Sequence, residues 1–261
     1  MLSRRSPQTA RLDTIHRVLV AAAVLSTVLG AWMVFGQPFA GRRRYRLLLE
    51  LLGRDPSARL RHYRRGIAFE WAGAALVGLL AVLGHSRIES LWPAGDRPGV
   101  GGQIPGLVLA IVVITAIYRF GGERTRRALA VQLRPVAALL PRTAVERRVF
   151  AVLAVTAGIC EELLYRGFGL AALRWVAPNL GTSALIVITG AGFGLAHLYQ
   201  GRMGVIATGL LGAYFAWIVI ATGSLVPVMI LHALLDARIL ALPLDAVPFP
   251  DPSAEPGAAH S

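Results

Sequence analysis

Apolar residues occur in long blocks along the chain, and short polar segments rich in arginine separate these blocks. Several blocks reach the roughly 17–25 residues that a bilayer-spanning helix needs. The pattern therefore predicts an all-α fold, a polytopic transmembrane helix bundle of about seven to eight spans. We place seven spans at about 18–35, 67–83, 106–118, 149–175, 182–198, 203–222 and 226–242, with room for an eighth within 124–141.

Two strongly basic segments, 41–65 and 119–148, interrupt the apolar blocks. Leucines at helical spacing in 41–65 predict a short amphipathic helix on the membrane surface. In 119–148, a second surface helix should break at Pro135 and Pro141, because proline interrupts helices. Cytoplasmic loops of membrane proteins carry an excess of arginine, so we expect both segments on the cytoplasmic side.

The same pattern divides the chain into three parts. Residues 1–148 should form N-terminal membrane helices with the two basic segments, and 149–242 should form a membrane core. Residues 243–261 are rich in proline and alanine, which predicts a disordered tail. Glycine and proline within 85–105 predict a loop between the second and third spans.

Composition agrees with membrane insertion. The chain has 261 residues, 55% hydrophobic and 16% charged, with a mean hydropathy of +0.59. A formal charge of +13 comes from 27 basic residues, all of them arginine. These arginines lie between apolar blocks and no nucleic-acid-binding motif accompanies them, so the expected partner is the lipid bilayer and not nucleic acid. A single cysteine, Cys160, excludes an intramolecular disulfide.

Three ionisable residues, Glu161, Glu162 and Arg166, lie within one apolar block. Each charge at the centre of a membrane helix costs roughly 2.5–3.5 kcal/mol, so these side chains need partners. Glu162 and Arg166 are four residues apart and can form an ion pair on one helix face. Glu161 is rotated by about 100° from Glu162 and needs a partner from another helix.

Such partners are available in the last two apolar blocks. His197 lies near the end of the 182–198 span, and His232 and Asp236 lie four residues apart in the last span. Side chains with that spacing share a helix face. Glu70, near the start of the second span, is a further acidic residue to which we assign no role. The concentration of ionisable residues in three late helices predicts one buried site.

Three short motifs follow one another in this part of the chain, each within an apolar block. They are Glu161-Glu162-x-x-x-Arg166, Phe193-x-x-x-His197 and His232-x-x-x-Asp236. Their order and separation resemble the CPBP family, which includes type II CAAX prenyl endopeptidases and bacteriocin-processing intramembrane proteases. The resemblance covers roughly 145–240 and implies that 149–242 is a catalytic core. The implied activity is intramembrane hydrolysis of a peptide bond.

The resemblance also implies a role for most of these residues. Glu161 would be the general base that activates water, and His197 would help to hold that water. Glu162 with Arg166 would position the helix. His232 would donate a hydrogen bond to the developing oxyanion, a contact worth roughly 10²–10³ in rate.

Asp236 leaves several alternatives open. Many relatives have asparagine at this position, and a carboxyl group donates a hydrogen bond only when protonated. Asp236 would therefore orient His232, carry a proton or bind a metal. His197, His232 and Glu161 together would suit a zinc ion, yet no H-E-x-x-H motif is present. A divalent metal such as zinc stays open as a cofactor.

Other interpretations of the same residues exist. A buried ionisable cluster also suits a proton-coupled transporter, or a catalytically inactive relative that acts as a membrane scaffold. The absence of internal repeats disfavours transport, and the complete residue set disfavours an inactive relative. Cys160 fits a packing residue better than a nucleophile. The run "GAGFG" at 190–194 predicts close helix packing through small residues.

We therefore expect a multi-pass enzyme of the cytoplasmic membrane whose cavity opens to the cytoplasm. Its substrate would be a peptide or a membrane-tethered protein tail. A prenylated substrate is not implied by any residue of the chain, and the sequence predicts no particular oligomeric state.

Overall fold

Helices account for nearly all of the chain that the structure describes. The computed structural model describes residues 7–83 and 103–248, and no strand occurs in these ranges. The predicted all-α fold is thus confirmed. The helices are α1 (Pro7–Ala31), α2 (Gln37–Leu52), α3 (Ala58–Leu83), α4 (Gln103–Phe120), α5 (Glu123–Leu133), α6 (Ala144–Glu162), α7 (Leu170–Val176), α8 (Thr182–Ala196), α9 (Gly201–Thr222) and α10 (Val226–Ala237).

Two π-helical segments join consecutive helices into longer ones. Trp32–Gly36 connects α1 to α2, and Leu163–Gly169 connects α6 to α7. Isolated π segments within α-helices are rare and often accompany functional sites. The second of them starts immediately after the tandem glutamates, and the segment predicted as a span at 149–175 is helical as α6, the π segment and α7.

Within residues 7–83 and 103–248, three helices are long and apolar enough to cross a membrane: His16–Leu52, Ala58–Leu83 and Leu198–Thr222. A fourth span results if Ile104–Phe120 and Glu123–Leu139, which are bent by 115°, count as one. Two of the predicted spans are shorter, since α8 has 15 residues and α10 has 12. The transmembrane bundle is confirmed, and the number of seven to eight spans stays a prediction.

The prediction of a separate surface helix within 41–65 is wrong. The first apolar helix continues to Leu52, so the arginines of this segment lie at the end of α2 and the start of α3. Arginine and leucine are strong helix formers, and nothing interrupts them before the turn at 53–57. There, Asp55 Oδ1 accepts hydrogen bonds from the backbone N–H and the hydroxyl of Ser57, at 2.9 and 2.8 Å.

The C-terminal prediction also needs a correction. Residues 243–248 were expected in a disordered tail, but Leu244 and Val247 are buried against α5. The Arg142 guanidinium donates to the carbonyl oxygens of these two residues, at 2.6 and 2.9 Å. Two apolar side chains within a proline-rich segment are enough to anchor it. Residues 249–261 and residues 85–102 of the predicted loop lie outside the described residues, while 103–105 of that loop belong to α4.

The second basic segment behaves as predicted at Pro135. α5 ends at Leu133 and a 3₁₀ turn, Arg134–Leu139, follows. Side chains from two other helices hold this turn, because Tyr45 donates to the Pro135 carbonyl at 2.7 Å and Tyr63 donates to the Leu139 carbonyl at 2.6 Å. The turn is therefore fixed against α2 and α3.

A capping box starts α6. The Thr143 hydroxyl accepts from the Glu146 N–H at 3.2 Å, and Glu146 Oε2 accepts from the Thr143 N–H at 2.9 Å. Glu146 Oε1 also accepts a hydrogen bond from Nη1 of Arg59 in α3, at 3.0 Å. Burial opposes ionisation of Glu146, but the N–H groups of Arg142 and Thr143 and the Arg59 guanidinium hold its pKa below the usual value. The start of α6 is thus tied to α3.

α6 lies between α3 and α10. Arg59 meets Glu146, the Tyr63 ring meets Phe150, and a Cβ at Gly66 would meet Leu153. The same 87 positions separate the members of each pair, so α3 and α6 run parallel in constant register. On the other side, α6 runs antiparallel to α10.

Glycines allow the closest helix contacts in the bundle. A Cβ at Gly158 of α6 would lie 2.7 Å from the Ala233 nitrogen and 2.8 Å from the Met229 carbonyl of α10. The predicted packing role of the "GAGFG" run is confirmed for Gly190 and Gly194, whose Cβ positions would approach α9 to 2.7 and 2.6 Å. Gly192 has nothing within 4 Å of such a Cβ.

Gly158→Ala should destabilise the bundle, because its methyl group would separate α6 from α10. We expect a loss of about 1–3 kcal/mol in the free energy of unfolding, as for other overpacked sites. Gly192→Ala in α8 is the matched control and should leave stability equal or slightly higher, since alanine is the better helix former. Thermal unfolding of both purified variants in detergent tests the pair, and equal midpoints would contradict the close contact.

Candidate active site

The structure brings the six predicted site residues together from three parts of the chain. Two lie in the last turn of α6, one in the following π segment, one at the end of α8 and two on α10. In chain order they are Glu161, Glu162, Arg166, His197, His232 and Asp236. Their convergence, which the motif spacing predicted, is therefore a feature of the fold.

Glu162 lies at the centre of the cluster and is completely buried. Its Oε1 accepts hydrogen bonds from Arg166 Nη1 at 2.9 Å and from His232 Nδ1 at 2.7 Å. The predicted Glu162–Arg166 ion pair is thus confirmed, with both side chains 0% exposed. His232 is an additional partner that the sequence spacing did not indicate, because it comes from another helix.

Arg166 is enclosed by aromatic rings and backbone. Its guanidinium carbon lies 4.2 Å from the ring centre of Phe193 and 5.6 Å from that of Phe215. Nη2 donates to the Gly212 carbonyl at 3.1 Å. A Cβ at Gly212 would approach Phe193 Cβ to 2.9 Å and Arg166 Nη2 to 3.2 Å. Gly212 and Phe215 therefore belong to the site, and no motif in the sequence singled them out.

Glu161 faces both histidines. Its Oε2 lies 3.9 Å from His197 Nε2 and 4.0 Å from His232 Nε2. The Glu161 side chain is 14% exposed, and its Oε2 is buried without a hydrogen-bond partner in the described chain. These separations exceed a direct hydrogen bond and match two groups bridged by one small molecule such as water. Glu161 can therefore still accept hydrogen bonds at Oε2.

Backbone and side-chain acceptors fix the protonation pattern of both rings. His197 Nδ1 lies 2.8 Å from the Phe193 carbonyl oxygen, and His232 Nδ1 lies 2.7 Å from Glu162 Oε1. A carbonyl and a carboxylate only accept, so both Nδ1 atoms carry the proton. In the neutral rings, each Nε2 therefore has a free lone pair, and both Nε2 atoms point towards Glu161.

Asp236 occupies the more open side of the cluster. Its Oδ2 is 3.7 Å from His232 Nε2, which is beyond hydrogen-bond distance, and its side chain is 43% exposed. Asp236 was one candidate for orienting His232. In the structure Glu162 makes that contact instead, because it accepts from the opposite ring nitrogen.

A further carboxylate approaches the site from α3. The register of 87 positions between α3 and α6 aligns Glu70 with Ala157, one turn before Glu161. Glu70 is partly buried and interacts electrostatically with Glu161 and His232. No pattern in the sequence predicted this proximity, since it depends on how α3 packs on α6.

Two other predictions concern the chemistry of the cluster. Cys160 is a free, fully buried thiol, which agrees with the predicted packing role. The possible metal ligands His197, His232 and Glu161 are near one another, but no group of three or more His, Cys, Asp or Glu within residues 7–83 and 103–248 has metal-binding geometry. Bonds of about 2.0–2.1 Å to a tetrahedral zinc ion would bring such ligands closer than 3.9–4.0 Å.

A comparison with known protein families bears on this arrangement. Residues 145–238 match the family described as type II CAAX prenyl endopeptidase Rce1-like. This segment belongs to the CPBP family. The CPBP match spans α6 to α10 and contains all six residues of the cluster.

The CPBP resemblance proposed from the three motifs is therefore confirmed. At the level of the family, the match indicates an intramembrane protease of the CAAX type, and together with the apolar helices it indicates a membrane location. No curated protein and no solved structure matches the chain.

Arg166→Met should strongly destabilise the protein, because it leaves the Glu162 carboxylate buried without its cation. Removing one partner of a buried ion pair costs about 3–5 kcal/mol. Arg127→Met is the matched control: Arg127 also pairs with a glutamate four residues earlier, Glu123, but those side chains are 78% and 71% exposed. That change should cost less than about 1 kcal/mol.

Unfolding midpoints of the two variants in the same detergent measure this difference. Similar small losses in both would mean that the buried pair contributes little to the fold.

Proposed function

We propose that this chain is an intramembrane endopeptidase in which Glu161 activates a water molecule to hydrolyse a peptide bond. The observation that carries the proposal is the position of Glu161 Oε2, unpartnered and about 4 Å from two imidazole Nε2 atoms. A water molecule held by this carboxylate and the histidines would use the hydrogen-bonding capacity that Oε2 leaves free. A general base must be within hydrogen-bond reach of the proton that it removes.

In the first step, water bound at Glu161 attacks the carbonyl carbon of the scissile peptide. Glu161 accepts one proton from the water as the new carbon–oxygen bond forms. His197 supports this step through its free Nε2, which accepts the second hydrogen of the same water. The Phe193 carbonyl holds the His197 ring in the required orientation.

The attack places negative charge on the former carbonyl oxygen. His232 in its doubly protonated form has an Nε2–H that donates to this oxygen, while Nδ1–H stays bonded to Glu162. Arg166 neutralises Glu162 from the other side. A donor fixed at such a position supplies roughly 10²–10³ in rate.

Collapse of the tetrahedral intermediate completes the reaction. The carbon–nitrogen bond breaks, and the proton held by Glu161 passes to the leaving nitrogen. One amide and one water thus become a carboxylic acid and an amine, and Glu161 returns to its initial state. The scheme uses the side chains of the cluster and no metal step.

The proposed substrates are peptides or membrane-tethered protein segments. The cluster is formed by helices of a membrane protein, which favours a substrate chain that enters the membrane region. We further propose that the enzyme resides in the cytoplasmic membrane with its basic segments on the cytoplasmic side, because arginine-rich segments are retained there.

Glu161→Gln should abolish cleavage while the protein stays folded. Glutamine keeps the size of the side chain but cannot act as the base, and we expect at least a 10²–10⁴-fold loss of rate. Comparing new protein N-termini in membranes from cells with the wild-type or the Glu161→Gln protein measures this. Glu123→Gln, on the exposed surface of α5, is the control and should resemble the wild type.

The outcome also separates the proposed protease from the other functional classes. Loss of a defined set of N-termini in Glu161→Gln membranes alone supports proteolysis. Identical N-termini in both membranes would contradict it and favour a scaffold or a transporter.

Glu162→Gln and Asp236→Asn should affect cleavage unequally. Glu162 accepts from His232 Nδ1 and balances Arg166, so its neutralisation should lower the cleavage rate more than tenfold. Asp236 makes no hydrogen bond to His232, and Asp236→Asn should lower the rate less than tenfold. Rates on a substrate identified by the N-terminal comparison decide this, and the reverse order would assign the orientation of His232 to Asp236.

A further inference from the structure

A cavity lies away from the proposed active site, between α4, α10 and the segment that follows α10. Its volume is about 780 Å³. Side chains of α4 form one wall, and the other comes from the end of α10 and the turn after it. The residues that define its apolar wall are Ile111, Val112, Ala116, Leu234, Ala237 and Leu240.

This cavity opens on the opposite side of α10 from the catalytic cluster. Leu234 and Ala237 are rotated by about 200° and 140° from His232 along a helix with 100° per residue. His232 faces α6, whereas these two residues face α4. The cavity is therefore separate from the site of the proposed proteolysis.

Positive charge is concentrated at one end of the cavity. Four arginines line it, Arg119, Arg126, Arg147 and Arg238, against the single carboxylate of Asp245. Within the described residues, none of the four has a carboxylate within ion-pair distance: the Arg–carboxylate pairs found there involve other arginines.

Three of these arginines have other interactions. Arg147 donates to the Leu240 carbonyl, and the Arg119 guanidinium lies 5.4 Å from the centre of the Phe120 ring. Arg238 interacts electrostatically with Asp236 through the helix. The end of the cavity thus retains an excess of positive charge beside a strongly exposed aromatic ring, since Phe120 is 81% exposed.

The apolar and basic ends are arranged along the direction in which a lipid molecule lies. Ile111 and Arg119 are eight residues apart on α4, which corresponds to about 12 Å along the helix axis. Beyond Phe120 the chain bends by 115° into α5, which is basic and amphipathic. If α4 alone enters the membrane, the arginines lie where the chain leaves it, at the level of lipid headgroups.

We propose that this cavity binds one anionic phospholipid. The phosphate group contacts the four arginines, and an acyl chain fills the apolar trough between α4 and α10. Basic pockets between membrane helices at the membrane surface recognise anionic headgroups in this way. A zwitterionic lipid offers the same acyl chain but no net charge, so it binds less tightly.

The experiment measures lipid binding to the full-length protein in detergent by native mass spectrometry, with phosphatidylglycerol and phosphatidylcholine as probes. We expect phosphatidylglycerol to be retained at least fivefold more than phosphatidylcholine. The combined change of Arg119, Arg126 and Arg238 to Gln should abolish that preference. The matched control removes three exposed arginines of the other basic segment, Arg43, Arg46 and Arg64, and should leave the preference within twofold of the wild type.

A second variant tests the trough without altering charge. Ala116→Trp fills the apolar part of the cavity and should lower phosphatidylglycerol retention at least fivefold, even if the triple arginine variant fails to fold. If the cavity triple variant and the control triple variant lose the preference for phosphatidylglycerol equally, the proposal is overturned. That result would indicate general attraction of the lipid to the basic surface. Competition by inorganic phosphate at millimolar concentration would also overturn it, because it indicates an anion site only.

Performing the measurement in the Glu161→Gln background separates this proposal from the proposed proteolysis. Lipid retention should be the same in that background, whatever the outcome of the cleavage assay.

Discussion

The rest of the structure depends on the hydrogen bonds that the Glu162 carboxylate accepts. It is fully buried, and one of its oxygens accepts from both Arg166 and His232. Helix α6, the π segment and α10 are thereby joined at one atom, and α9 is joined through the bond from Arg166 to the Gly212 carbonyl. A buried charge without such partners would be strongly unfavourable. Its presence requires that these elements keep their relative positions.

Much of this arrangement could be predicted from the sequence because membrane insertion makes each ionisable residue conspicuous. The apolar blocks predicted the helices, and the charges within them predicted the cluster. Helical spacing predicted the Glu162–Arg166 pair, and the three motifs predicted the family of residues 145–238. Those predictions rely on local periodicity, which one sequence displays directly.

Contacts between helices were harder to predict from the sequence. The bond from His232 to Glu162 depends on the rotation of α10 against α6, which Gly158 sets by permitting a backbone contact. The approach of Glu70 to Glu161 depends on the register between α3 and α6. The continuation of α1 into α2 was missed for another reason, since arginine and leucine favour helix whether or not the bilayer surrounds them. The basic cavity is lined by residues between 111 and 245, which are too far apart in the sequence for local periodicity to bring them together.

The occupied Nδ1 atoms of His197 and His232 have one more consequence. A half-turn of either imidazole would exchange its nitrogens for carbons and break the bond that holds it, so each ring has a single permitted orientation. The two Nε2 atoms and the Glu161 oxygen thus already face one another before any ligand arrives. Such preorganisation removes the need for side-chain rearrangement during the reaction. In the proposed hydrolysis, it would also supply a fixed place for the one molecule of water that the reaction consumes.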